Sequence, residues 1–357
     1  MAKAILSRWS WKGLKKMNKE TSKFSELEKA IIRTVAFFDI FDYPLTILEI
    51  YKWFYLTINP QQFPPEADQF LAETINKKRE TNLSEILVGL EELKKKKVID
   101  SKNGFYFFPG RENLVNLRQG RYLLAEAKFK IARRAIKFLR FIPFIRMIAV
   151  CNNAAYSNAA AKSDIDFFIV VAQGRIWWTR LLITLLLTVL GLRRHGQKIT
   201  DRICLSFYLT DDSLNLSSIA LKPIDPYFIY WLATLAPIYQ AENYPAFLRQ
   251  NLWLKDYLPN FYPVSLADRR QLKNQGFLKI CKQIGEFIFS GWLGKGLENF
   301  AKAIQLLKMK KNKKSLANKP DSRVVISDIM LKFHETDQRQ IFYQAWQEKL
   351  NLLGINV

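Results

Sequence analysis

Residues 149–171 read AVCNNAAYSNAAAKSDIDFFIVV, and this stretch decides the fold. Phe167 to Val171 is an unbroken run of aromatic and β-branched residues, the pattern of a buried strand. Asp164 and Asp166 open it. Side chains alternate along a strand, so the two carboxylates project from one face and Ile165 and Phe167 from the other. Two carboxylates side by side at the start of a buried strand repel each other and are costly to desolvate. A divalent cation relieves both problems. Asp-x-Asp on a strand is therefore a natural mount for Mg²⁺ or Mn²⁺, which take carboxylate oxygens and share their remaining positions with phosphate.

Upstream, Ile145 to Cys151 (IRMIAVC) predicts a second short strand. It runs into Asn152-Asn153 and then a small-residue loop through Ala161. Ten residues separate Asn153 from Asp164. The order of strand, polar turn, small-residue segment and Ser163-Asp164-Ile165-Asp166 strand resembles the polymerase-β-type nucleotidyltransferase superfamily, over roughly residues 140–240. In that superfamily a Gly-Ser pair after the first strand holds a nucleotide triphosphate, and Asp-x-Asp on the next strand holds the metal. The resemblance implies that Asp164 and Asp166 are the metal-binding and catalytic pair. It also implies that Asn152, Asn153 and Ser163 face the nucleotide triphosphate. Asn152 stands where the superfamily has Gly and Asn153 where it has Ser. Asn tolerates positive φ better than most residues, which suits such a turn.

The next strand, Arg202 to Leu209 (RICLSFYL), places Ile203, Leu205, Phe207 and Leu209 on one face by strict alternation, and Cys204, Ser206 and Tyr208 on the other. In the superfamily a strand near here carries a third carboxylate, and the corresponding position in this chain is Ser206. Lys162, Arg175 and Arg180 are further candidates for positive charge near the site. The resemblance thus implies transfer of a nucleotide to a hydroxyl acceptor, by in-line attack on the α-phosphate. The two departures equally suit a rival: an inactive nucleotidyltransferase-like fold that binds nucleic acid or a protein partner.

Ahead of this region stand signals of a different kind. Ser25 with Glu28, Thr46 with Glu49, and Asn82 with Glu85 each make a capping box before an apolar helical pattern. Asn103-Gly104 between apolar runs is a hairpin turn signal. Three helices and a hairpin resemble a winged-helix domain over residues 25–110. Its third helix begins with Glu85, and Lys94 to Lys97 lie at the C-terminal end, where cations complement the helix dipole. Residues 1–24 carry seven Lys or Arg against one Glu and read as a basic tail; with Trp9 and Trp11 they also suit a phosphate-rich surface.

Residues 111–146 predict a helix with one apolar face and one basic face, including Arg121, Lys128, Arg133, Arg134 and Lys137. It leads into the proposed site and is a candidate entry for a phosphate-bearing substrate. From 241 to 357 the chain reads as a helical region. It includes a basic run, Lys302 to Arg323, expected to be mobile. A last amphipathic helix is expected from Ser327, with His334 and Asp337 one turn apart.

The predicted architecture is α+β: a basic tail (1–24), a winged-helix-like domain (25–110), a nucleotidyltransferase-like mixed sheet (111–240) and a helical C-terminal region (241–357). A net charge of +23 points to an anionic partner: nucleotide, nucleic acid or a membrane surface. Three well-separated cysteines make no metal spacing and suit a reducing, cytoplasmic compartment. The most apolar stretch, Leu181 to Leu192, is short of the roughly 20 residues a spanning helix needs.

Overall fold

The computed structural model describes residues 24–56, 81–263, 265–311, 323–334 and 337–355. The basic tail through residue 23, the prolines at 60, 64 and 65, and the lysines at 313 and 314 lie outside the described residues.

All three capping boxes form. Helix α1 (Glu26–Asp39), α2 (Ile47–Lys52) and α3 (Leu83–Lys95) start at Ser25, Thr46 and Asn82. Each cap side chain accepts the backbone N–H of a Glu three residues on, and that Glu accepts the cap's own N–H. Such a cap is worth ~1 kcal/mol of helix stability. Strands β2 (Asp100–Lys102) and β3 (Phe105–Phe107) form the expected hairpin, turned by Asn103 at φ 54° and Gly104 at φ 78°. Strand β1 (Leu45–Thr46) joins β3 to give a three-stranded sheet in the order β1-β3-β2.

A 27-residue helix, α4 (Asn113–Leu139), leads to a six-stranded sheet. Its strands are β4 (Ile145–Val150), β5 (Ile165–Val171), β6 (Ile203–Thr210), β7 (Ala236–Tyr239), β8 (Val324–Ile326) and β9 (Met330–Phe333), in the order β7-β4-β5-β6-β9-β8. Only the β5–β6 pair is parallel, and α6 (Ile176–Val189) makes that crossover. A single turn, α5 (Asn152–Ala155), separates β4 from the loop into β5. Among the described residues the chain is thus a mixed α+β protein with two sheets.

Alternation along β5 builds two cores. Ile165, Phe167, Ile169 and Val171 pack with Phe129 and Ile136 of α4 and Trp177 and Ile183 of α6. Phe168 and Val170 pack on the other side with Trp231 of α7 (Pro226–Ala233) and Phe247 of α8 (Tyr244–Gln250). That second core runs on into the N-terminal unit through Phe38, Trp53 and Tyr55, and into Trp346 of α12 (Arg339–Asn351). Tyr230 donates its hydroxyl to the Trp53 carbonyl (3.0 Å), and the Trp346 indole N–H to the Arg33 carbonyl (2.9 Å). Helices α10 (Phe277–Ile288) and α11 (Trp292–Lys311) follow a second short helix, α9 (Leu254–Tyr257).

The structure departs from the sequence expectations in three places. Besides helices, the region beyond residue 240 supplies β8 and β9; Met330 and Phe333 lie in a strand and not in a helix from Ser327. Met330 packs in one core and Leu331 in the other, so a strand buried on both faces had lost its alternation. The Ser327 hydroxyl accepts the Met330 N–H (3.0 Å) in the turn between them. Lys302 to Lys311 belong to α11, residues 312–322 lie outside the described residues, and Arg323 precedes β8. The third departure is a bulge in β6, which reorders the site.

Candidate functional site

The second Asp of the pair, Asp166, faces Cys204 across the parallel β5–β6 pair, yet Phe168 faces Phe207. Two residues on β5 thus span three on β6. The extra residue makes a β-bulge and reverses the alternation beyond it. Phe207 and Leu209 join the core of Phe168, whereas Ile203 and Tyr208 join the opposite core. The strictly alternating face expected for β6 is therefore broken in the middle. Cys204, and not Ser206, stands beside the aspartates: ligand atoms of Asp164, Asp166 and Cys204 lie within 4.8 Å of one another. Ser206 is buried, and its hydroxyl lies 3.2 Å from Nε2 of His334.

Asn152 adopts φ 58°, the left-handed conformation that a turn after β4 requires and that Asn tolerates. Its side chain faces the aspartate pair. Nδ2 donates to Asp166 Oδ2 at 2.8 Å, and Oδ1 accepts from the Tyr227 hydroxyl at 3.4 Å. Asn153 accepts the Tyr156 hydroxyl at 2.5 Å, and its carbonyl accepts the Asn158 N–H at 2.8 Å, which folds the loop back on itself. Ser163 donates its hydroxyl to the Ala160 carbonyl, while its own carbonyl accepts from Lys128 at 2.7 Å. Asn152, Asn153, Ser163, Asp164 and Asp166 all line one cavity of about 350 Å³.

The far wall of that cavity is absent from the sequence motif. It comes from the end of β9 and the start of α12: Lys332, His334, Asp337 and Arg339. Arg339 donates to Asp337 (2.7 Å) and to Asp225 (2.9 Å), so the wall is held by a buried charge network. His334 does not pair with Asp337; the strand end turns it to Ser206 instead. Burial, with Lys332 nearby, pushes the His334 imidazole down to about 4. It is therefore neutral at pH 7, and with Ser206 as its partner it is a polar group lining the cavity.

Burial and the charge of Asp164 push Asp166 up to about 6, against the bond from Asn152. Burial and the two carboxylates push the Cys204 thiol up to about 12, so it is protonated and no base. Arg194, in the loop entering β6, donates to Asp164 Oδ2 at 2.6 Å. These residues fit a divalent cation in part. Two carboxylates converge and one of them is raised by the other's charge, which a cation would reverse. The third position offers a thiol in place of an oxygen, and Asp164 already has a cation beside it.

The other candidate cations lie elsewhere. Arg180 is half-buried against the rings of Tyr208 and Phe333. Arg175 donates to the Ser290 carbonyl (2.6 Å), and Lys162 is exposed in the loop before Ser163. The basic face of α4 is not an entry either. Lys128 is buried and donates to Asp201 and Ser163, both at 2.7 Å. Arg121 donates to the Phe41 carbonyl (2.8 Å) and to Asn158 (3.0 Å). Both brace the loop that carries Ser163 and Asp164. Arg194, Cys204, Lys332, His334 and Arg339 were not singled out from sequence as site residues. Alternation placed Cys204 on the same face as Ser206, but the resemblance singled out Ser206, and no spacing linked β9 to the Asp-x-Asp strand.

No protein-family model, no curated protein and no solved structure matches this chain. Among the described residues no helix is long and apolar enough to cross a membrane.

Proposed function

We propose that the chain is a nucleotidyltransferase-like protein that binds a nucleotide triphosphate together with Mg²⁺ or Mn²⁺, and in which transfer to a hydroxyl acceptor is weak or lost. The observation that carries this reading is the convergence of Asp164, Asp166 and Cys204 within 4.8 Å at a 350 Å³ cavity with Lys332 and Arg339 in its wall. Asp164 and Asp166 would hold the cation, which stabilises charge developing on phosphate oxygens. Asn152 orients Asp166 by its amide bond. Lys332 and Arg339, paired with Asp337 and Asp225, bring N–H donors to the wall where a phosphate tail fits, and the rings of Phe41, Tyr227 and Phe342 offer faces for a base.

The transfer step lacks its base. A thiol held near 12 stands where a third carboxylate would take the acceptor's proton. Positioning and electrostatics do most of the work in phosphoryl chemistry, so binding survives such a loss better than turnover does. The N-terminal unit belongs to the same reading as a winged-helix-like module, and the location as cytoplasmic. Its α3 keeps Glu91 and Glu92 in ion pairs with Lys94 and Lys95, which suits a packing role better than DNA contact.

Calorimetry with Mg²⁺ and each of the four ribonucleoside triphosphates tests the proposal. The wild type binds metal weakly alone and more tightly with nucleotide, and Asp164→Ala/Asp166→Ala loses that synergy. Equal binding by both proteins would overturn it. A second reading, nucleic-acid binding, is favoured by exposed Lys130, Arg134 and Lys137 on α4. It requires an affinity that falls steeply with salt as counterions are released.

A further inference from the structure

Helix α10 is attached to the protein by its polar face. Lys282 donates to the Ile145 carbonyl and to Gln240 Oε1, the latter at 2.8 Å. Glu286 accepts from the Phe144 N–H and from Arg146, both at 2.8 Å. Lys282 and Glu286 sit one turn apart, so the side of the helix that bonds to the core is the charged one. The opposite side carries Phe277, Ile280, Ile284, Phe287 and Ile288, at the spacing of one helical face. All five are exposed, Phe277 by 76% and Phe287 by 83%.

Helix α11 is apolar on both sides: Ala301 is buried in the core, with Leu306 and Met309 packed against it. Glu298 faces inward and accepts the backbone N–H groups of Trp177 and Trp178, both at 2.9 Å, at the start of α6. Gln305 donates to the Trp177 carbonyl at 2.8 Å. Outward stand Leu293, Phe300, Ile304 and Leu307, with Trp292 81% exposed between the two helices. An amphipathic helix in water normally buries its apolar side, because that side gains most from leaving water. Helix α10 does the reverse, and α11 adds an exposed apolar side to its buried one, so together they present an apolar surface of the kind that marks an interaction site.

Charge selects the occupant. The two helices hold seven lysines and two glutamates. Both glutamates, Glu286 and Glu298, have internal partners, whereas Lys279, Lys295, Lys308 and Lys310 are exposed beside the apolar face. A second copy of this chain on a two-fold axis would set lysines against lysines with no exposed carboxylate on either helix to answer them. An anionic bilayer fits both features. Its acyl boundary takes the phenylalanines and Trp292, and its headgroups take the lysines.

We propose that α10 and α11 form a docking face for an anionic lipid surface, on which the protein lies without spanning the bilayer. The proposal is independent of the nucleotide reading, since none of these residues lines the cavity.

The test is flotation of the full chain with vesicles of equimolar phosphatidylglycerol and phosphatidylcholine, beside vesicles of phosphatidylcholine alone. Binding is expected to the first and to fall with salt. Phe287→Ser/Trp292→Ser should weaken it by roughly tenfold or more, and Lys295→Gln/Lys308→Gln/Lys310→Gln by a similar factor. The substituted side chains are exposed, and circular dichroism checks that the fold is kept. Should a variant misfold, brominated lipid still reads insertion in the intact fold, as quenching present in the wild type and reduced in Trp292→Phe. Absence of flotation, flotation unchanged by Phe287→Ser/Trp292→Ser, or a stable wild-type dimer that Phe287→Ser/Trp292→Ser dissociates, each overturns the proposal.

Discussion

Arg194 Nη1 stands 2.6 Å from Asp164 Oδ2, so the first carboxylate of the pair has a protein cation beside it. The Arg194 side chain is 44% exposed and Asp164 only 15%. The exposed partner is the one that can swing away. A metal approaching Asp164 has to displace the guanidinium, and a triphosphate beside the metal offers it a new bidentate partner. Arg194→Gln should therefore tighten Mn²⁺ binding in the absence of nucleotide, by about threefold to tenfold, and weaken binding of the metal–nucleotide pair by about tenfold. Calorimetry with and without nucleotide reads both. A change of the same sign in the two titrations would rule out the exchange.

Asn152 combines a backbone and a side-chain role, and two substitutions separate them. Asn152→Gly keeps the φ of 58° and loses the 2.8 Å bond to Asp166, a loss of about 1–2 kcal/mol. Asn152→Ala loses the same bond and adds about 1–2 kcal/mol of left-handed strain. Urea midpoints should fall in the order wild type, Gly, Ala. A Gly variant less stable than the Ala variant would mean that the turn is not held in the left-handed region.

Burial holds the His334 imidazole near 4, below the usual value of 6.5. As pH falls, the unfolded chain takes up this proton first. The group's contribution to stability is therefore complete above about 6.5 and is lost as pH falls through 6.5 toward 4, by up to about 3 kcal/mol. Asp166 slopes the other way. Its folded value, about 6, lies above the ordinary 3.8, so the metal-free protein loses stability as pH rises from about 4 to about 6. His334→Gln should flatten the acid-side loss, and Asp166→Asn should raise metal-free stability near pH 7. Thermal midpoints at stepped pH check both signs. Adding Mn²⁺ near pH 7 should recover stability in the wild type and not in Asp166→Asn.

Much of this molecule was legible as sequence, for reasons that differ by region. The capping boxes at Ser25, Thr46 and Asn82, and the Asn103-Gly104 turn, are local chemistry that needs no tertiary partner, and all of them form. The Asp-x-Asp strand was legible because its alternation is uninterrupted. Strand β6 was found, but its faces were misassigned. One bulge residue between Cys204 and Phe207 reverses the parity, and no turn residue marks it. The far wall was illegible for a different reason. Lys332, His334 and Arg339 lie more than 150 residues from Asp164 and reach it only because β9 pairs with the free edge of β6. The inverted helix α10 shows the converse. The amphipathic pattern around Phe277 to Ile288 is visible in the sequence, but which side faces the core follows from Glu286 meeting Arg146.

For the proposed nucleotidyltransferase-like reading, the bulge also fixes which residue to change in order to test transfer. The resemblance had pointed to Ser206, but Ser206→Asp would place a carboxylate beside His334, whereas Cys204 completes the cluster with the aspartates. Cys204 has its sulfur within 4.8 Å of both aspartates. Cys204→Asp adds the third oxygen ligand that a hard cation prefers, and a carboxylate that can take an acceptor's proton. Without a cation this variant packs three carboxylates together and should be less stable than the wild type, increasingly so as pH rises. With Mg²⁺ the order should reverse. Each ~1.4 kcal/mol of barrier is tenfold in rate, so a restored base is expected to raise pyrophosphate release by about tenfold to a hundredfold over a wild type near background. Ser206→Asp should stay at background. Robust release by the wild type, abolished by Asp164→Ala, would show that Asn152, Cys204 and His334 form a working site as they stand. Release by Ser206→Asp and not by Cys204→Asp would mean that the bulge does not set the third position.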